Sequence, residues 1–439
     1  MDTATHPSPS DAGLGPTTLV FAVASVACHG LVRLAERTLP AFLAALGWGP
    51  IAAGVVATVG LAVAVGIGGL GPGDSLPRAA VAALAALGLV VWAGAPAIDG
   101  LLGTPLSALG WLLVGAMLLA AWNADGVVGP DGSGFAATGA LADTDGSRGA
   151  GDAGPLRDPR TRHLAGAVGT AGAAGLAAAT FAGTGAGAGF PVLAVTGAVC
   201  GLTAAVGAAG RRRPDDPDRG DSPSRADPTP VTGVSDVAEL RREWESLPAG
   251  VRTATVGDGL VRAATSLVAL SLVLVVDAGV SIAPGRSLPP LSAFALLVGV
   301  ESLGALAGVA ATPAIVERAD PRRMLTGGLA VLAVVPLSVV AAGPDVAVLG
   351  VLFALFGART ALRPFRPTLG GRATAPPGAD DDRRTVPRTP PTVRGAIRAA
   401  LVPAPLAGGA LYALSPVVAF GLATSLGLLG VRELSRSVG

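Results

Sequence analysis

The chain has 439 residues, of which 51% are hydrophobic and only 14% charged, too little charge to coat a water-soluble surface of that size. A formal net charge of +1 gives no basic field for nucleic acid, and two cysteines, Cys28 and Cys200, make neither a disulfide framework nor a zinc site. With a mean hydropathy of +0.62 the expected solvent is the bilayer, so length here counts spans rather than soluble domains.

Residues 1–16 hold no Lys or Arg, so they lack the basic start of a secretory leader and read as a disordered tail ahead of a retained first span. Apolar blocks then recur at lengths of about 18 to 25 residues, enough to cross about 30 Å of hydrocarbon as helix. Six of them, 17–37, 49–70, 78–98, 103–122, 163–183 and 190–210, make a first bundle over 17–210. Six more, 255–276, 291–316, 324–342, 346–363, 396–413 and 415–432, make a second over 255–432, followed by a tail at 433–439. The expected fold class is therefore an all-α membrane protein of twelve transmembrane helices in two six-helix bundles. The 64 glycines suit close helix packing in lipid, and Gly304 and Gly308 form one such small-residue step.

Three long gaps, 123–162, 211–254 and 364–395, are polar and rich in Gly, Pro and Asp, a composition that cannot offset chain entropy by burial. The linker 211–254 holds one exception. Asp236 and Glu239 have capping-box spacing, and Val237, Leu240, Trp244 and Leu247 recur at helical intervals, so 236–247 reads as a short amphipathic helix tethering the two bundles. The run Asp380 to Asp382, beside Arg383 and Arg384, reads as solvated charge rather than a metal site.

All 31 basic residues are arginine, and Asp outnumbers Glu, as expected of coding bias in a GC-rich prokaryote of the haloarchaeal kind. With the N-terminus in the cytoplasm, 26 of the arginines fall on the cytoplasmic side, Arg33, Arg37 and Arg286 fall outside, and Arg262 and Arg359 lie within spans. The positive-inside rule then places both termini of a multi-pass cell-membrane protein in the cytoplasm. Trp48, Trp92 and Trp122 stand near span ends and read as interfacial anchors. Arg359 and Arg363 close the tenth span and are expected to snorkel to the inner surface.

An ionisable group deep in a bilayer costs several kcal/mol unless it faces protein or water, so each one marks a candidate site. Glu301, near the middle of the eighth span, is expected to lie on a substrate or proton pathway, as a protonatable carboxylate able to carry a coupling proton. In the first span His29, Arg33, Glu36 and Arg37 share one helical face at i, i+4, i+7 and i+8. They read as a stripe for substrate or proton contact along the outer half of a cavity; the alternative is that the charged three mark the helix end and pair with one another. Asp258 and Arg262 form an i, i+4 pair near the inner end of the seventh span and read as a gate or salt bridge.

Two six-span bundles joined by a basic linker resemble the major facilitator superfamily of secondary transporters. The segment Pro313-Ala-Ile-Val-Glu-Arg-Ala-Asp-Pro-Arg-Arg-Met324 is similar to that family's charged loop after the second helix of each half, written around D-R-x-G-R-R. Its first-half counterpart, Gly71-Pro-Gly-Asp-Ser-Leu-Pro-Arg78, keeps only Asp74 and Arg78. The segment Arg394 to Gly430, with its apolar run at 401–410, also resembles the last two helices of prokaryotic permeases in the family. The resemblance implies alternating access of a midplane site, with Asp74, Arg78, Asp320, Arg322 and Arg323 in contacts that latch the cytoplasmic side.

The expected function is movement of a small solute by a monomeric, non-enzymatic permease that needs no cofactor or metal. No Walker motif is present, so coupling to a proton or sodium gradient is the expected energy source. The rival class is a non-transporting membrane protein, either an intramembrane enzyme or a degenerate permease acting as sensor or scaffold, and the degraded first-half loop favours it.

Overall fold

The computed structural model describes residues 16–68, 76–102, 107–125, 159–209, 237–276, 280–283, 286–318, 320–365 and 391–436. Lipid offers backbone amides no hydrogen-bond partners, so apolar sequence rich in Ala, Leu, Val and Gly must satisfy them internally, as helix. The first half of the chain forms α1 (Pro16–Ala45), α2 (Pro50–Gly68), α3 (Arg78–Leu102), α4 (Ala108–Asp125) and α5 (Pro159–Ala209). The second half forms α6 (Val237–Ser246), α7 (Ala249–Val268), α8 (Leu272–Val276), α9 (Pro290–Arg318), α10 (Pro321–Ala342), α11 (Val346–Ala358), α12 (Pro391–Leu401), α13 (Ala404–Leu414) and α14 (Pro416–Arg436). A 3₁₀ turn, Arg359–Phe365, continues α11. A hairpin of β1 (Val280–Ala283) and β2 (Arg286–Leu288), antiparallel with Val280 opposite Leu288, lies between two of the predicted spans, where no element is expected from the sequence.

The described residues of the predicted span intervals are mostly helical, though 255–276 and 396–413 are each divided between two helices, α7 with α8 and α12 with α13. Eight helical stretches among the described residues are long and apolar enough to cross a membrane, which makes the chain an integral membrane protein. Two shorter apolar helices, Ala108–Ala124 and Val346–Leu362, accompany them. α5 covers two predicted spans as two helices that meet at Gly185, whose backbone is non-helical and whose φ of 68° only glycine adopts readily. α1 runs eight residues past the expected end at Arg37, because the apolar stretch after Thr38 continues the helix through Pro40 to Ala45. At 1.5 Å per residue that sinks Arg37 about 12 Å below the helix end.

Packing follows from small residues at the crossings. A Cβ on Gly30 would stand 2.1 Å from the Gly169 carbonyl oxygen, so α1 and α5 touch backbone to backbone. The predicted Gly304 and Gly308 step packs α9 on the α11 region, against the carbonyl of Ala354 and the hydroxyl of Thr360. The aromatic core of the first half stacks Phe42 on Phe190 at 4.2 Å. Trp92 joins it fully buried, its indole N–H donating to the Leu112 carbonyl at 2.8 Å, and Trp122 is only 3% exposed. Both tryptophans are core residues rather than the interfacial anchors their positions predict, and the helix of Trp92 continues to Leu102 beyond it. Along the second arm of α5, Val195, Val199, Leu202 and Val206 present an exposed apolar face of the kind lipid covers.

Helices of the two halves meet along two seams. On one, Ser292 of α9 donates to the Ala178 carbonyl of α5 at 2.9 Å. On the other, the Leu406 amide of α13 donates to Thr58 Oγ1 of α2 at 3.1 Å. The amphipathic segment forms α6, and its Leu240 and Trp244 pack with Leu247, Val251, Val393 and Ile397 at the feet of α7 and α12. Val237 lies off that cluster, 72% exposed. Asp236, its proposed cap, and most of the three polar gaps lie outside the described residues.

Candidate functional site

α1 is enclosed by its neighbours, so the face carrying its charged residues is inside protein: His29 is 7% exposed, Arg33 3% and Glu36 0%. His29, Arg33 and Arg37 line a cavity of about 60 Å³ together with Thr170 of α5, Glu301 of α9 and Arg359 at the end of α11. The cavity thus draws its wall from both halves of the chain. Arg33 Nε donates to His29 Nε2 at 3.2 Å.

Glu301 closes the cavity by gathering two arginines that sequence separates. Arg37 meets it in a two-pronged pair, Nη1 on Oε2 and Nη2 on Oε1, the latter at 3.0 Å. Arg359 Nη1 donates to the same Oε1 at 3.0 Å. Arg359 also donates to the Phe356 carbonyl at 2.7 Å and lies 3.9 Å above the Phe356 ring. Guanidinium groups only donate, so these contacts complement a carboxylate. Where the sequence suggests a carrier of a coupling proton, the structure places Glu301 as the ion-pair partner of both arginines.

Two further expectations are corrected by these contacts. Arg359 does not snorkel to a surface; it turns inward to Glu301. The cause is Gly357: a Cβ there would stand 1.8 Å from the Glu301 carbonyl oxygen, so α9 and α11 cross with no side chain between them. The 3₁₀ turn that begins at Arg359 then brings its side chain to the carboxylate. Glu36 belongs to the same helix face by spacing but does not line the cavity; it is fully buried and accepts from Asn123 Nδ2 of α4 at 2.7 Å.

Of the candidate gating residues whose side chains are described, none lines the cavity. Arg262 Nε donates to Asp258 Oδ2 at 2.6 Å on α7, as the i, i+4 spacing predicts. Arg323 and Asp320 approach to 3.9 Å and are both exposed. Arg78 begins α3. Asp74 and the side chain of Arg322 lie outside the described residues. Among the described residues no group of three or more His, Cys, Asp or Glu could hold a metal ion.

Searched by sequence, the chain matches no family model and no curated protein. Searched by structure, it is similar to the crystal structure of the nucleoside transporter NupG, with a TM-score of 0.59 at 10% identity over 97% of this chain and 98% of that one. It is similar also to a structure from a study of substrate recognition in proton dependent oligopeptide transporters (TM-score 0.57, 14% identity, 96% of each chain). A third is the inward open conformation of the xylose transporter XylE from E. coli (TM-score 0.55, 13% identity, 96% of this chain and 95% of that one). These transporters have the major facilitator fold, and at such identities the likeness establishes that fold for this chain.

Proposed function

We propose that the chain is a secondary transporter, a permease of the cell membrane that moves a small solute by alternating access between two bundles, 17–210 and 255–432, joined by the linker 211–254. Twelve crossings with both termini in the cytoplasm complete the topology. The observation that carries this reading is the Arg37–Glu301–Arg359 cluster, with Glu301 buried and both arginines partly so, which ties the halves together across a cavity. A fixed scaffold gains little from such a cluster, since burying charge costs several kcal/mol per ion and apolar packing would serve as well. A bond that must break and re-form as two halves rock explains why ions stand there.

The resemblance of the fold to nucleoside, peptide and xylose transporters supports the same reading. So does the cavity wall, which offers an enzyme little: the hydroxyls of Thr170 and Thr360 donate to backbone carbonyls, at 2.9 and 3.0 Å, rather than to a base. Coupling to a proton or sodium gradient supplies the energy. His29, Arg33, Arg37 and Glu301 line the substrate or proton pathway. Asp258, Arg262, Asp320 and Arg323, with Asp74, Arg78 and Arg322, form the gating contacts.

The test needs no substrate. Spin labels at Val206→Cys and Arg436→Cys, in a Cys28→Ala, Cys200→Ala background, would report the distance between one helix end in each half. Two distance populations are expected, with the ratio shifted by Glu301→Gln. A single population, unmoved by that substitution, would leave the sensor or scaffold reading in its place.

A further inference from the structure

Three guanidinium groups, those of Arg33, Arg37 and Arg359, line the cavity, and among the described residues Glu301 is the one carboxylate in its wall. Charged groups in a membrane interior must be met by water or by groups of opposite charge.

The other polar groups of the wall sharpen this. Ser302 donates to the Val298 carbonyl at 2.9 Å, Thr170 to Gly166 at 2.9 Å and Thr360 to Ala305 at 3.0 Å. Each hydroxyl proton is therefore engaged by backbone, which leaves the guanidinium N–H groups as the strong donors of the cavity wall. Planar, paired N–H groups of that kind match oxyanions. Glu301 already demonstrates the fit, since its carboxylate receives two arginines at once, one from each half.

We propose that the cavity takes a small oxyanion, a carboxylate or phosphate of a few heavy atoms, which displaces Glu301 from Arg37 and Arg359 and thereby loosens the bond between the halves. Glu301 is the resident occupant of the substrate's own place. Binding and release of the inter-half contact become one event, with Arg33 completing the anion's shell. The proposal rests on the permease reading and names its substrate class.

The full-length protein, purified in detergent, would be titrated with inorganic phosphate, lactate and succinate, and with lactamide as the uncharged counterpart of lactate. The melting temperature is expected to rise with at least one of the anions and not with lactamide. Glu301→Gln removes the competing carboxylate, so the same anion should then bind about tenfold more tightly, whereas Arg359→Gln should abolish its effect. A carboxylate–phosphate difference among the probes assigns the source of the oxyanion. An equal shift with lactamide, no shift with any of the three anions, or unchanged anion binding in Arg359→Gln would overturn the proposal. If proteoliposomes instead take up an uncharged or cationic solute, the anion assignment fails while the permease reading stands. Anion binding in a protein whose halves never move would do the opposite, keeping the oxyanion site and removing the permease.

Discussion

Glu301 and Arg37 lie 264 residues apart in the chain, yet each is the other's principal partner in the folded protein. Removing one member of such a buried pair leaves the other uncompensated, at a cost of about 3–5 kcal/mol. Arg37→Gln and Glu301→Gln should therefore each lower unfolding stability strongly, and the double variant should lose less than the two together. A coupling above about 1 kcal/mol in that cycle is expected; additive losses, measured by denaturant titration, would mean that the pair contributes nothing. At this scale the sequence was informative in kind and incomplete in partner. Spacing on one helix brought His29, Arg33 and Arg37 to a common face, because about 3.6 residues per turn is a local rule. Glu36 obeyed the same rule and still turned to Asn123, since a helix face is wider than a cavity. The contact with Arg359 was not readable from any local pattern; the glycine at position 357, two residues before it, was the available signal.

Between helices the decisive groups are the smallest. Gly357→Ala would press a methyl group into the Glu301 backbone, so a destabilisation of about 1–3 kcal/mol is expected. Gly350→Ala lies on the same helix with open space around it, and should be neutral or stabilising by up to about 1 kcal/mol. Comparable losses in both variants would refute the backbone crossing. Element positions were well marked in the sequence, because apolar runs of membrane length have few other uses. Their ends were less so. Arg33 to Arg37 looked like an interface, but α1 continues through Leu39, Phe42 and Leu43, all buried, and the charged stripe moves from the rim to the interior. Trp92 misled for the same reason. Charge and tryptophan mark the interface on average, and both lose that meaning where a long helix is surrounded by protein.

Across the whole molecule the arginine distribution and the two seams make a joint claim about sidedness. The turn at Gly47 and Trp48 between α1 and α2 should face outward, and α6, ahead of α7, should face the cytoplasm. An impermeant maleimide applied to intact cells should label Trp48→Cys and spare Ser246→Cys until the membrane is opened. The reverse pattern would invert the topology and with it the assignment of the polar gaps. The helical membrane plan was legible from the length of the apolar runs. How the bundles meet was not, because seams such as Ser292 on Ala178 and Leu406 on Thr58 use residue types found anywhere in a membrane helix.

The long separation between Arg37 and Glu301 also bears on how the protein is made. Synthesis at about 5–20 residues per second delivers Glu301 some tens of seconds after Arg37. Throughout that interval the first helix carries its arginines without their eventual counterion. The nascent chain must keep them hydrated, or sheltered by the insertion machinery, until the ninth helix emerges, so the order of translation sets a waiting time that the finished architecture no longer displays.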